Sequence, residues 1–527
     1  MKVDTAFSIL LIVLLDFGVC ERPNIVIIIA DDLGWNDVGF HGGDIETPNL
    51  DALAYHGIIL NRHYAMPVCS PSRTALMSGD YPLRHGMQGT PCIAGIHDGL
   101  PLNVTIMPQY FSKLGYKSHL VGKWHLGYES ADYLPTRRGF DSFFGYLNGY
   151  LGYWDYTHHA TGIGVGRDIR RNEEGVWTEC YGNYLTDLLT KEAVRVISEH
   201  PEEDGLLLVL SHAAVHTTHL GPEREAAPDV RNLTNRGFLR ATAERMDLSV
   251  GEMTRALHEK RLLNNSIIVF ISDNGAPTFT NVYTNYGSNW PLRGEKGSVH
   301  DGGVRTVAAI WSPLIEKKSR VSNQYFHVTD WLPTLYAAAG GQPEDLGSQD
   351  GINQWASLLS SSPGTRDMIL LNINDADQTE AVIKNKWKLI KNHDPQLMQI
   401  NNDIYYGENG RWMTYDAKKL NSSAVAHILG PVPENYRQLR QSASVDSPCT
   451  DEAAAAAEDC HTRYCLYDIL TDPTECYNLA ANNSKVVADL KAIIDSYRPS
   501  VVPSPIKFFD SRASPKNWND YWSPWME

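Results

Sequence analysis

Three short, unbroken apolar runs constrain the architecture of this chain more than any other feature. Asn24-Ile-Val-Ile-Ile-Ile-Ala30 leads into Asp31-Asp32. Leu206-Leu-Leu-Val-Leu210 leads into Ser211-His212 and, slightly further on, His216. Ile267-Ile-Val-Phe-Ile271 leads, after Ser272, into Asp273-Asn274. None of the runs alternates apolar with polar residues, so each reads as a strand buried on both faces, as in a parallel sheet. Helical patterns lie between them. Thr47-Pro48 supplies an N-cap and a first-turn proline, and Gly57 supplies the stop. Between Asn183 and His200, Leu185, Leu188, Leu189, Ala193, Val194 and Ile197 form an amphipathic stripe. This alternation predicts an α/β fold built on a doubly wound, mostly parallel sheet. Such sheets bind ligands beyond the carboxyl ends of their strands. The three runs therefore deliver two aspartates, a histidine, a third aspartate and an asparagine to one edge.

At 527 residues the chain has room for one large domain with a smaller one attached. Composition turns loop-like at Ser360–Thr365, which divides an N-terminal domain, 21–363, from a smaller C-terminal α+β domain, 364–527. In the second part, Trp387–Ile390 reads as a strand. Leu479–Tyr497 reads as a helix packing on a sheet through Val486, Val487, Leu490 and Ile493.

Asp31, Asp32, Asp273 and Asn274 offer only oxygen donors, and no cysteine or histidine pair stands at zinc spacing. Such a set favours Ca²⁺ or Mg²⁺ over Zn²⁺. A lone Asp-Asp pair reads as a solvated turn or a cap. Two carboxylate clusters, each directly after a buried strand, point to a metal site. The net charge of −16 argues against nucleic-acid binding, which rests on clustered basic residues. An anionic substrate would need a local basic pocket, because the overall field repels it. Many of the histidines are expected to charge in an acidic compartment and soften that repulsion.

Longer motifs narrow the chemistry. Cys69-Ser-Pro-Ser-Arg73 stands with Asp31-Asp-Leu-Gly-Trp35, Gly122-Lys-Trp-His-Leu-Gly127 and Pro135-Thr-Arg-Arg-Gly-Phe-Asp141. Ser272-Asp-Asn-Gly275, Asn289-Trp-Pro-Leu-Arg-Gly-Glu-Lys296 and Trp522-Ser-Pro-Trp-Met526 extend the set to the end of the chain. Together these resemble the sulfatases, and within them the arylsulfatase B (N-acetylgalactosamine-4-sulfatase) branch. The resemblance implies an alkaline-phosphatase-like α/β fold. It implies that Cys69 is oxidised to formylglycine by the formylglycine-generating enzyme during maturation. It implies one Ca²⁺ per subunit, held by Asp31, Asp32, Asp273, Asn274 and the modified Cys69. Arg73 would hold the formylglycine hydrate, Lys123 and Lys296 would contact sulfate oxygens, and His125 and His216 would sit by the nucleophile and the leaving group.

These residue types suit sulfate ester hydrolysis, which resembles phosphoryl transfer: charge spreads over peripheral oxygens and in-line geometry matters. A cation and two lysines stabilise that charge. One hydroxyl of the aldehyde hydrate attacks sulfur, and loss of the other hydroxyl's proton lets the aldehyde re-form and expel sulfate. A histidine must protonate the departing alkoxide. Among His212, His216 and His219, one can take the family position. Ala214-Val215-His216 aligns best, and His212 is second. Two departures stand out. Thr218 replaces a proline common in relatives, and Met77-Ser-Gly-Asp80 replaces the usual Leu-Thr-Gly-Arg element that follows the cysteine motif.

The implied substrate is 4-sulfated N-acetylgalactosamine of glycosaminoglycans or a small aryl sulfate, with specificity carried by loops such as Tyr150–Gly166. A phosphodiesterase or phosphonate hydrolase of the same superfold is the second enzymatic reading. A non-catalytic binder of sulfated glycans is the third. Lys2, the apolar stretch Ala6–Leu15, Gly18 and Cys20 read as a signal peptide over residues 1–20, too short for a membrane span. Without Cys20 and Cys69, six cysteines remain: Cys92, Cys180, Cys449, Cys460, Cys465 and Cys476. An even number in an oxidising compartment predicts disulfides. Sequons at Asn103, Asn232, Asn264, Asn421 and Asn482 fit the same route. A lysosomal or extracellular sulfatase, active at acidic pH, is the combined expectation.

Overall fold

The three apolar runs lie side by side at the centre of one sheet. The computed structural model describes residues 22–218, 226–228, 234–278, 285–392, 416–446, 460–505 and 508–527. The leader, His219, Asn232 and Cys449 lie outside the described residues. The large sheet contains β1 (Asn24–Ala30), β2 (Ile58–Leu60), β3 (Tyr116–Lys123), β4 (Ser142–Tyr146), β5 (Arg170–Arg171), β6 (Glu174–Gly175), β7 (Gly205–Ser211), β8 (Ser266–Ser272), β9 (Ala308–Trp311) and β10 (Arg320–Ser322). Their order is β10-β2-β9-β8-β1-β7-β3-β4-β5-β6. The five strands from β8 to β4 run parallel, while β9 joins β8 and β2 antiparallel and β5 joins β4 antiparallel. In register, Ile25 lies between Leu207 and Ile267.

Both faces are covered, which is why the runs do not alternate. On one face Val26, Ile28, Leu208, Leu210, Ile268 and Phe270 pack under α1 (Pro48–His56), α3 (Leu185–Glu199) and α4 (Asn235–Glu259). On the other, Ile25, Ile27, Leu207, Val209, Ile267 and Val269 meet α2 (Cys69–Ser78) and α5 (Trp331–Ala338). α1 starts at the proline expected for it. Its first amides, from Asn49 and Leu50, donate to the Asp247 carboxylate of α4 at 3.1 and 2.8 Å rather than to Thr47.

The second sheet is antiparallel, in the order β11 (Met368–Asn374), β12 (Thr379–Lys384), β13 (Trp387–Lys391), β14 (Cys465–Asp468). The expected C-terminal helix begins later than its pattern, as α7 (Ser484–Tyr497), and buries Leu490 and Ile494 against Leu370, Val382, Leu389 and Leu466. Removing a side chain such as Leu490 from this contact costs about 2–5 kcal/mol. Between the two, α6 (Ala424–Leu429) returns to the large sheet, packing with α1 and α4. The chain end crosses back as well: Trp522 is buried, and its indole N–H donates to the His158 carbonyl at 3.0 Å. No helix among the described residues is long and apolar enough to cross a membrane. The described sequon asparagines, Asn103, Asn264, Asn421 and Asn482, are all exposed, as glycan attachment requires.

Two sequence expectations change here. Cys460 and Cys465 form a disulfide and Cys476 is also disulfide-bonded, but Cys92 and Cys180 are thiols. The large sheet separates these two: Cys180 packs in the core on one face and Cys92 against the core on the other. An even count therefore does not pair all six. Fewer histidines are free to charge in acid than their number suggests. Burial pushes His41, His63 and His212 down to about 3. Their folded-state values lie below the unfolded one, so their contribution to stability is present above about pH 6.5 and is lost as the pH falls toward 3. A His212→Asn variant should lose less of its melting temperature between about pH 7 and about pH 4.5 than the parent, in parallel thermal melts. Equal losses would show that His212 is not buried as a neutral ring.

Candidate active site

Ala30 and Ser272 are register partners at the ends of β1 and β8. Asp31-Asp32 and Asp273-Asn274 therefore leave the sheet together. Asp32 takes a left-handed backbone (φ 63°), and its N–H donates to the Asp273 carboxylate at 3.2 Å. Lys123 ends β3, and His125, two residues later, is also left-handed (φ 56°). Side chains that are not glycine occupy this region rarely, and strain of this kind gathers at functional sites.

Cys69 is the first residue of α2, a helix buried along its whole length. Pro71 fits because first-turn amides have no helical acceptor. The Ser72 hydroxyl accepts the Met66 N–H at 3.0 Å and pins the entry to the helix. Ser70 donates to the His125 carbonyl and accepts the Cys92 N–H, both at 3.0 Å. The loops carrying Cys69, Cys92 and His125 are thereby locked together.

Each carboxylate has its own cation. Lys123 Nζ lies 2.8 Å from Asp31, Lys296 Nζ 2.6 Å from Asp32, and Arg73 Nη2 2.8 Å from Asp273. Lys296 also reaches Cys69 Sγ at 3.1 Å, and Sγ lies 3.7 Å from Asp31. Burial pushes the Asp31 carboxyl up, against the pull of Lys123. Burial acts likewise on Asp32, but Lys296, His216 and Lys123 outweigh it and hold that carboxyl below the ordinary range. Burial pushes the Cys69 thiol up to about 12 despite both lysines. Burial also holds His125 and His216 well below the usual histidine value.

The donor set fits a hard cation. One ligand atom from each of Asp31, Asp32, Cys69 and Asp273 lies within 4.8 Å of all the others. Asn274 donates its amide N–H to Asp32 at 2.7 Å and to the Gly275 carbonyl at 3.0 Å, yet its buried Oδ1 has no hydrogen-bond partner. A buried acceptor left in that state beside three carboxylates is what an oxygen-seeking dication satisfies.

A cleft of about 530 Å³ opens above this cluster, with Cys69, His125, His216 and Lys296 at its base. The hairpin Thr157–Ala160/Gly164–Arg167 contributes His158 and His159 to its wall. Tyr150 stands between His158 and His216, with ring centroids 4.3 and 5.7 Å away, and is stacked on the latter. His216 Nε2 is 3.7 Å from Asp32. His212 points the other way, buried against α4 with Nε2 3.1 Å from the Ser249 hydroxyl. Asp80 follows the far end of α2, about 15 Å of helix away from Cys69. There it meets His85 at 3.2 Å and the Asp350 N–H at 3.4 Å. Thr218 lines the cleft. Two site residues were not foreseen: Ser70, and Ser211, whose hydroxyl accepts from Arg73. The signal for Ser211 was its place as the first polar residue after an apolar run.

Comparison with known proteins supports the same chemistry. The sulfatase family profile matches residues 23–341. Arylsulfatase J of Mus musculus is 32% identical over 512 residues, covering 96% of this chain and 81% of that protein. N-acetylgalactosamine-6-sulfatase of Homo sapiens is 32% identical over 365 residues, covering 65% of this chain and 67% of that one. The solved structure of Ps i-CgsB in complex with k-i-k-neocarrahexaose superposes with a TM-score of 0.70 at 23% identity, covering 94% of this chain and 97% of that one, a likeness of fold. With its carboxylates, buried cations and thiol gathered at one sheet edge, and with relatives along nearly its whole length, the chain belongs to the sulfatase family and is a sulfuric ester hydrolase.

Proposed function

We propose that this enzyme hydrolyses sulfate esters through a formylglycine made from Cys69 and with a calcium ion held by Asp31, Asp32, Asp273, Asn274 and the modified Cys69. The observation that carries the reading is the place of Cys69 Sγ. It stands within the carboxylate cluster and 3.1 Å from Lys296, at the base of the cleft. A thiol pushed up to about 12 is un-ionised at neutral pH and a poor nucleophile, which supports the modified form at this position. Formylglycine, when formed, supplies a hydroxyl nucleophile there. Calcium, when bound, supplies positive charge toward the ester's oxygens.

The chain's own residues do the rest. Arg73, fixed by Asp273 and Ser211, orients the group at position 69. Lys123 and Lys296 carry positive charge into the buried base of the cleft and stabilise the sulfate oxygens as charge develops. His125 and His216 handle protons at the nucleophile and at the departing oxygen. A sulfate anion beside them favours their charged forms and offsets the effect of burial.

The substrate in this reading is 4-sulfated N-acetylgalactosamine or a small aryl sulfate. Named relatives include an arylsulfatase and an N-acetylgalactosamine-6-sulfatase, and Tyr150, His158 and His159 line the cleft that would take the ring. Residues 21–363 form the catalytic unit, 364–527 complete it, and maturation runs through the secretory pathway to the lysosome or the cell exterior.

Mass spectrometry of the Cys69 peptide, from protein made in a eukaryotic secretory host, is expected to show the aldehyde. Turnover should be measured in parallel on an aryl sulfate, an aryl phosphate, and the 4- and 6-sulfates of N-acetylgalactosamine. An unmodified thiol in a fully active preparation would sink the formylglycine reading. Preference for the phosphate would favour the phosphodiesterase reading, and preference for the 6-sulfate would correct the position of attack.

A further inference from the structure

The segment 289–304 carries Lys296 and is held from two sides. Toward the site, the Lys296 N–H donates to the Ala276 carbonyl at 3.2 Å and the Gly297 N–H to the Pro67 carbonyl at 2.7 Å. The Gly275 N–H, next to Asn274, donates to the Gly303 carbonyl at 2.9 Å. A shift of this segment therefore moves the sulfate-facing ammonium, the Cys69 loop and the Asn274 turn together.

Away from the site, the same segment is anchored by the small sheet through a buried ionic network. Lys388, on β13, places Nζ 2.7 Å from Asp301 and 2.8 Å from Glu475, and the side chains of all three are 0% exposed. Glu475 also accepts the Asp301 N–H at 2.7 Å and lies 3.2 Å from His300 Nδ1. Asp301 accepts from the Tyr64 hydroxyl at 3.1 Å and lies 3.6 Å from Arg305. The charges balance, with Lys388 and Arg305 against Asp301 and Glu475. Glu475 itself is fixed in a left-handed backbone (φ 54°) beside the disulfide-bonded Cys476. Burying four full charges is costly, and replacing them with apolar groups is often neutral or stabilising, so stability alone does not account for them.

We propose that Lys388 is a positioning residue for catalysis: through Asp301 and Glu475, the small C-terminal sheet sets where Lys296 meets the sulfate group. This rests on Lys296 being a sulfate contact, as argued above.

The test uses the full-length secreted enzyme, normalised by aldehyde content at position 69. Its readouts are inhibition by inorganic sulfate, kcat and KM on an aryl sulfate, and melting temperature. Lys388→Met is expected to weaken sulfate inhibition about 10-fold and to raise KM more than it lowers kcat. It also leaves an unbalanced buried charge and lowers the melting temperature. Lys388→Met/Glu475→Gln restores charge balance without restoring the tie. Its melting temperature should recover while sulfate inhibition stays weak. In a Lys296→Ala background, Lys388→Met should add nothing further. Unchanged sulfate inhibition in either Lys388 variant overturns the proposal, as does recovery of inhibition along with stability in the double variant. If Lys296→Ala itself leaves sulfate inhibition intact, the reading of Lys296 fails first. If it weakens inhibition and the Lys388 variants do not, only the positioning role fails.

Discussion

Replacing Cys69 with alanine should abolish sulfate ester turnover, by roughly 10⁴-fold or more in kcat, with little change in folding. The side chain does little for the core. Its sulfur meets Lys296 at 3.1 Å and Asp31 at 3.7 Å, while Ala75, Leu76 and Met77 carry the packing of α2. The lost volume is small, and its neighbours remain paired with each other, Lys123 with Asp31 and Lys296 with Asp32. Turnover of an aryl sulfate by protein of matched melting temperature is the measurement. Residual activity within about tenfold of the parent would place the nucleophile elsewhere and remove the need for the modification.

Asp273→Asn should be the second large effect. The substitution keeps the shape of the side chain and removes one of the cluster's three carboxylates. Two things follow. The cation site loses a charged donor, so calcium affinity measured by calorimetry should fall by roughly 10²–10³-fold, and activity should partly return at high calcium. Arg73 loses the negative charge at 2.8 Å and keeps one carboxylate, Asp31 at 3.9 Å, beside the neutral Ser211 hydroxyl. Leaving a buried charge in that state costs about 3–5 kcal/mol, so the melting temperature should drop, and calcium should raise it less than in the parent. Unchanged calcium affinity would move the metal away from the end of β8.

Much of this site was legible because strands buried on both faces leave unbroken apolar runs. Those runs fall on β1, β7 and β8, which are neighbours, so Asp31, Asp32, Ser211, His216, Asp273 and Asn274 meet at one edge, while His212 turns away toward α4. The outer strands were not legible. β5 and β6 have two residues each and carry no periodicity. Lys123 stood out through its motif and not through its letter, since most lysines are solvated. Lys388 had no such motif. Its partners Asp301 and Glu475 come from distant segments, and nothing local announces a lysine with no exposure. Cys92 and Cys180 were counted as a possible pair because composition does not say on which side of a sheet a residue lies.

The one-to-one matching of carboxylates and cations has a consequence for how the site fills. Asp31, Asp32 and Asp273 are each answered by Lys123, Lys296 or Arg73, so the site by itself is close to isoelectric. A dication entering alone leaves uncompensated positive charge among buried side chains. A sulfate ester entering alone leaves the opposite imbalance. Isolated charge in such surroundings is expensive, and each guest is the counter-ion that relieves the other. The affinities of a dication and a sulfate ester for this site are therefore thermodynamically linked, and the factor by which either tightens the other is the same in both directions. Such a site loads in the manner of a salt, by ion pairs, and the occupancy of either component reports on the availability of both.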